Sequence, residues 1–217
     1  MKIKELILFT NNLDQQIDFY STILELPIVN STPESTSIKI GESILTFQYK
    51  RNAVPYHFAF NIPSNNEKQA LYWLKERVDV LTFDEKEIID FSNWNAKAIY
   101  FYDFDKNIVE FISRKNLNIN SDLKFSFKSI LNISEMGLVT NEIKNTFNKL
   151  NKIENIQVYS GDFERFCALG DDNGLFILVN NNLKKWFPTG DLIQQSDFIM
   201  KGDFNFEYTN GEIIEIT

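Results

Sequence analysis

Three times along the chain a short apolar strand is followed by a two- or three-residue polar break and then by a helix with an apolar stripe. This repeat restricts the fold more than any other feature, because each unit exposes an apolar face that only another unit can cover. The first copy runs from Lys4 to Leu24. Glu5–Thr10 reads as its strand, Asn11 and Asn12 supply the helix N-cap, and Leu13, Ile17, Tyr20 and Leu24 recur at helical spacing. In the second, Tyr56–Ile62 is the strand and Pro63 stops it. Ser64 and Glu67 form a capping box before a helix carrying Ala70, Trp73 and Leu74. The third spans Ile133–Ile153, with Ile143, Phe147 and Leu150 as its stripe.

Shorter strands bounded by turn residues follow the first two helices. They are expected at Pro27–Val29, Ser35–Ile40 and Ser43–Tyr49, then at Leu81–Phe83, Ile88–Phe91, Ala98–Tyr102 and Ile108–Ser113. The order is βαβββ twice. Residues 115–129 lack periodicity and read as a connector. A third module then offers strands at Ile156–Tyr159, Phe163–Leu169 and Leu175–Val179, while residues 189–217 show only the alternating stretches Phe198–Tyr208 and Glu212–Ile216 without a helical stripe. The expected fold is α+β: paired βαβββ modules forming a cupped mixed sheet in residues 1–114, which carry the pocket, and a second, truncated lobe of the same type in 130–217 without a metal site.

Bulk properties narrow the function. At 217 residues the chain exceeds one typical domain of about 100–150, and no apolar run approaches the roughly 20 residues that span a bilayer. The net charge of −8 comes from interspersed acidic and basic residues, whereas nucleic-acid and anionic membrane surfaces need clustered Lys and Arg. A small-molecule substrate or ligand is expected instead, with a homodimer left open. Cys167 is the only cysteine, so neither an intramolecular disulfide nor a Cys-rich zinc site can form, and a reducing cytoplasm fits best. The lead MKIKELILFT lacks the features of an export signal.

Asn12–Tyr20 after the first strand, His57–Phe60, and above all Tyr100-Phe-Tyr-Asp-Phe-Asp-Lys-Asn-Ile-Val-Glu-Phe111 resemble the vicinal oxygen chelate superfamily. That group contains glyoxalase I, extradiol dioxygenases and bleomycin-resistance proteins. The usual Asp-Pro-x-Gly-Asn turn has Phe104 and Lys106 in place of Pro and Gly, with the Asp, Asn and Glu in register. The resemblance implies a metal held by residues on the first and last strands of each module. It assigns Glu5, His57 and Glu110 as ligands and puts Thr46 at the remaining position.

The residue pattern agrees, since Glu5, His57 (the only histidine) and Glu110 each fall on an otherwise apolar strand face. Such an O,O,N set suits Mn²⁺, Fe²⁺, Ni²⁺ or Zn²⁺. Thr46 stands where glyoxalase I has a fourth ligand. Tyr100 matches the tyrosine ten residues before the ligand Glu of extradiol dioxygenases, but no second histidine exists for their chemistry. The resemblance therefore implies a metal-dependent lyase, isomerase or dioxygenase-like enzyme acting on adjacent oxygens, with Glu5 as proton acceptor and Tyr100 as a further catalytic group. A metal-free binder of the bleomycin-resistance type and a catalytically silent interaction domain are the alternatives. In the third module Glu135 matches Glu5, with no histidine beside it; Trp186 and Phe187 are assigned to core, lobe interface or pocket rim.

Overall fold

The computed structural model describes residues 1–216. Its first module comprises β1 (Ile3–Thr10), α1 (Leu13–Asp18, extended by a wider turn through Ile23), β2 (Ile28–Ser31), β3 (Ser35–Ile40) and β4 (Ser43–Tyr49). The second has β5 (His57–Ile62), α2 (Glu67–Lys75), β6 (Val80–Leu81), β7 (Ile89–Phe91), β8 (Ala96–Tyr102) and β9 (Ile108–Arg114). The third has β10 (Asn132–Val139), α3 (Ile143–Ile153), β11 (Val158–Gly161), β12 (Phe166–Asp171) and β13 (Gly174–Val179). Three antiparallel strands without a helix follow: β14 (Phe198–Gly202), β15 (Phe206–Thr209) and β16 (Glu212–Glu215). The fold is α+β around one mixed sheet of 16 strands. No described helix is long and apolar enough to cross a membrane.

Within each of the first three modules the first strand lies parallel to the last, β1 on β4, β5 on β9 and β10 on β13. The pairing between modules differs from the expectation that residues 1–114 close on themselves. β5 pairs antiparallel with β10, and β1 pairs antiparallel with β14. The second module is thereby joined to the third and the first to the short C-terminal strands, with the single register pair Ile3–Ile133 linking the two halves.

The connector explains this. The Ile119 carbonyl accepts from the Ser64 amide, and Phe125 packs on Trp73 and Phe111 at ring separations of 5.7 and 6.1 Å. Leu131 then donates to the Asn61 carbonyl, so the chain re-enters the sheet beside β5. Gly41 makes the same passage possible from the first module. At φ +54° it lies so close to Leu131 that a Cβ would meet the Leu131 carbonyl oxygen at 2.0 Å.

The capping box at Ser64 and Glu67 does not form. Asn66 is the N-cap of α2, with no side-chain cap bond, and the Ser64 hydroxyl donates to the Arg114 carbonyl. Asn12 likewise caps α1 without a side-chain bond to the helix and donates to Asp105 instead. One sheet face, carrying Leu6, Leu8, Phe58, Phe60, Met136 and Leu138, packs against the helices in the main core. The opposite face of the second and third modules carries Ala59, Tyr100, Ile112, Val139 and Ile177 beneath Trp186.

Candidate metal and ligand site

The strand registers build the site. Glu110 on β9 and Glu135 on β10 both stand opposite Ala59 on β5, and Tyr100 on β8 stands opposite Glu110. Side chains in one such row share a face, so two carboxylates flank a methyl group with a tyrosine at the end. His57, two residues before Ala59, projects on that face too. The Nε2 of His57 lies 3.6 Å from Glu110 Oε2 and 3.9 Å from Glu135 Oε2. Donor atoms of His57, Glu110 and Glu135 all lie within 4.8 Å of one another, and the three residues are buried.

The turn that aims β9 is intact despite Phe104 and Lys106. Lys106 adopts φ +63°, which a glycine would take more readily. The Asn107 amide and side chain both donate to Asp103, at 3.0 and 2.7 Å. Gln16 and Tyr20 of the first module donate to the same carboxylate, tying α1 to the turn.

His57 Nδ1 lies 3.1 Å from the Ile108 carbonyl, which can only accept, so the proton sits on Nδ1 and the lone pair of Nε2 faces the two glutamates. Burial pushes the imidazole down to about 4, and it is neutral at neutral pH. The separations to the glutamates exceed hydrogen-bond length. Glu110 is held well above the usual carboxylate range, first by burial and then by the Glu135 charge. Glu135 is also raised by burial, against the opposing pull of Arg114.

Arg114 is itself fully buried and pairs with Glu135 Oε1. Its guanidinium lies against the contacting pair Trp94 and Tyr159, 5.6 and 6.0 Å from their ring centroids. One arginine thus faces two carboxylates and leaves Glu110 Oε2, Glu135 Oε2 and His57 Nε2 free. A neutral imidazole nitrogen with two carboxylate oxygens is the donor set of a late first-row divalent ion, and the spacing approaches what bonds of about 2.0–2.2 Å span. The residues fit such an ion.

A cavity of about 550 Å³ opens above the group. Its walls include Phe91, Trp94, Tyr100, Trp186 and Phe187. Trp186 packs at a tilt on the His57 ring, 5.2 Å between centroids, and Gly137 makes room for it, since a Cβ there would lie 2.8 Å from the indole. Tyr100 is buried, 6.3 Å from the His57 ring, and stands opposite Glu110 in the β8–β9 register.

The structure therefore brings together His57, Glu110 and Tyr100 but not Glu5. Glu5 lies on the β1–β4–β14 sheet, where Lys201 Nζ donates to it at 2.9 Å and Thr46 approaches at 3.4 Å. The second carboxylate is Glu135, from the lobe expected to carry no ligand. Its signal was its equivalence to Glu5 in the third module. Arg114 carried no comparable signal, being a cation at a strand end.

A scan against protein-family models finds no match, and a search of curated proteins finds none. Solved structures do match. A "putative dioxygenase" from Bacillus subtilis is 16% identical with a TM-score of 0.61, over 82% of this chain and 63% of that one. Glyoxalase I from Zea mays is 13% identical with a TM-score of 0.55, over 82% of this chain and 66% of its own length. The chain thus spans just under two thirds of each, and at these identities the likeness is one of fold. Parallel first and last strands in each module, modules joined through their first strands, and these neighbours together give the chain the fold of the vicinal oxygen chelate superfamily.

Proposed function

We propose that the chain is a metal-dependent enzyme of the glyoxalase/dioxygenase-like type, holding one divalent ion, Mn²⁺, Fe²⁺, Ni²⁺ or Zn²⁺, on His57, Glu110 and Glu135. The observation that carries this is the unprotonated Nε2 of a buried imidazole facing two buried carboxylates, an arrangement that is repulsive without a cation between them. When bound, the ion supplies Lewis acidity toward a small substrate with adjacent oxygens. Glu110 accepts or returns the proton at the reacting carbon, because of the two carboxylates it is the one without the Arg114 ion pair. Tyr100 stands beside Glu110 in the cavity wall, and Trp186 and Phe187 exclude water from above. The role first expected of Glu5 falls to Glu110, since Lys201 already neutralises Glu5. The reading includes a reducing, cytoplasmic location, which the lone Cys167 favours.

The Arg114–Glu135 pair favours a second reading, a metal-free binder of the bleomycin-resistance type, because it neutralises one carboxylate without an ion. Calorimetric titration of chelator-treated protein with Mn²⁺ and Zn²⁺ separates the two. The enzyme reading expects one ion per chain, affinity lowered more than about tenfold in His57→Ala and Glu135→Gln, and unchanged affinity in Glu5→Gln. Absence of stoichiometric binding leaves the binder.

A further inference from the structure

The cavity has a cation that no carboxylate pairs with among the described residues. Lys184 lies on the segment between β13 and β14, half-buried, and lines the cavity together with Trp186 and Phe187 from the same segment. Its ammonium sits 4.0 Å over the Phe166 ring. No carboxylate pairs with it among the described residues; the charge that acts on it is Arg165, which repels it. Lys97 and Lys201, by contrast, each hold a glutamate at 3.0 and 2.9 Å. Asp90, the other charged residue on the cavity's outer wall, accepts from the Ser92 hydroxyl at 2.6 Å rather than from Lys184. A half-buried ammonium without a counter-ion is costly to keep unless a ligand supplies one.

The rest of the wall describes the remainder of that ligand. Phe91, Trp94, Tyr100, Trp186 and Phe187 present ring faces and edges around a space of about 550 Å³, and flat apolar molecules gain most from such walls. The floor does not forbid an anion. Arg114 pairs with Glu135 and offsets its charge; a divalent ion held on the floor would add positive charge.

We propose that the molecule taken into this cavity is a small aromatic compound bearing a carboxylate, and that Lys184 is the residue that selects for the carboxylate. The proposal rests on the reading that the cavity binds a small molecule, but not on the metal.

Because the probe must not report on the metal, the test uses chelator-treated protein. Binding of 2-naphthoate and of its neutral isostere 2-naphthamide is followed by calorimetry and by quenching of tryptophan fluorescence. Wild type should bind the carboxylate at least about tenfold more tightly than the amide, as expected for one charge-assisted contact. Lys184→Met and Lys184→Gln should abolish that preference while leaving amide affinity unchanged, and Lys184→Arg should keep it. Equal affinity for the two probes in wild type, or a preference that survives in both neutral variants, overturns the proposal; so does failure to bind either probe. Metal titration of the same preparations reads out the other hypothesis separately, so loss of one leaves the other standing.

Discussion

Replacing Arg114 by methionine removes the guanidinium that pairs with the Glu135 carboxylate while keeping much of the apolar stem. Breaking a buried pair by deleting one partner typically costs about 3–5 kcal/mol, since the survivor is left charged in an apolar site. Glu135 can escape by taking a proton, and that limits the loss. Against an ordinary value of 4.5, protonation costs about 1.4 kcal/mol for each pH unit above it, so about 5 kcal/mol at pH 8 and about 1.4 kcal/mol at pH 5.5. Arg114→Met should therefore lower stability by about 3–5 kcal/mol at pH 8, a fall in Tm of roughly 10 °C for a chain of this size, and by only about 1–2 kcal/mol at pH 5.5. Adding Glu135→Gln should recover most of the pH 8 loss. The assay is urea unfolding of chelator-treated protein by circular dichroism at the two pH values, as a double-mutant cycle. Equal losses at both pH values, or additive single losses in the double variant, would show that Arg114 acts through packing rather than through the Glu135 charge.

Two further outcomes follow from the same group in metal-free protein. His57 is depressed from 6.5 to about 4, so its contribution is present above pH 6.5 and lost as pH falls through 4; His57→Gln should remove up to about 3 kcal/mol of acid-induced destabilisation in urea midpoints between pH 7 and 3.5. Glu110 is shifted the other way, so its contribution is complete below 4.5 and is lost as pH rises. Glu110→Gln should raise the urea midpoint at pH 8 and leave it nearly unchanged at pH 4, and a lowered midpoint at pH 8 would contradict the assignment.

Strand and helix positions were legible because periodicity reports burial directly. Ser35–Ile40 and Ser43–Tyr49 fall where alternation puts them, whereas the weaker edge strands differ by one to three residues: Leu81–Phe83 was expected for β6 and Val80–Leu81 is observed. Which module pairs with which was not legible. The first strands β1, β5 and β10 each offer an apolar edge, and no local signal says which edge another will take. That choice is made by the connector, through Phe125 and the Leu131 amide, in a stretch whose sequence reads as featureless. The site inherited the ambiguity. His57 and Glu110 lie on paired strands of one module, but their third partner depends on the neighbour of β5. Glu135 arrives because β10 is that neighbour, and Glu5 stays with Lys201 because β14 is the neighbour of β1.

The pairing also sets a sequence-distance hierarchy within the sheet. Contacts that assemble the cavity join β5 to β9 and β10, stretches separated by about half the chain or less, whereas β1 meets β14 at pairs such as Glu5–Lys201, separated by 196 residues. Closing a loop costs entropy that grows with the logarithm of its length, and long-range strand pairing slows folding. The strands that hold the candidate ligands form a consecutive run nested inside the outer pair. Their pairing spans shorter stretches of chain than the β1–β14 closure, which joins the first strand to the C-terminal meander as a clasp.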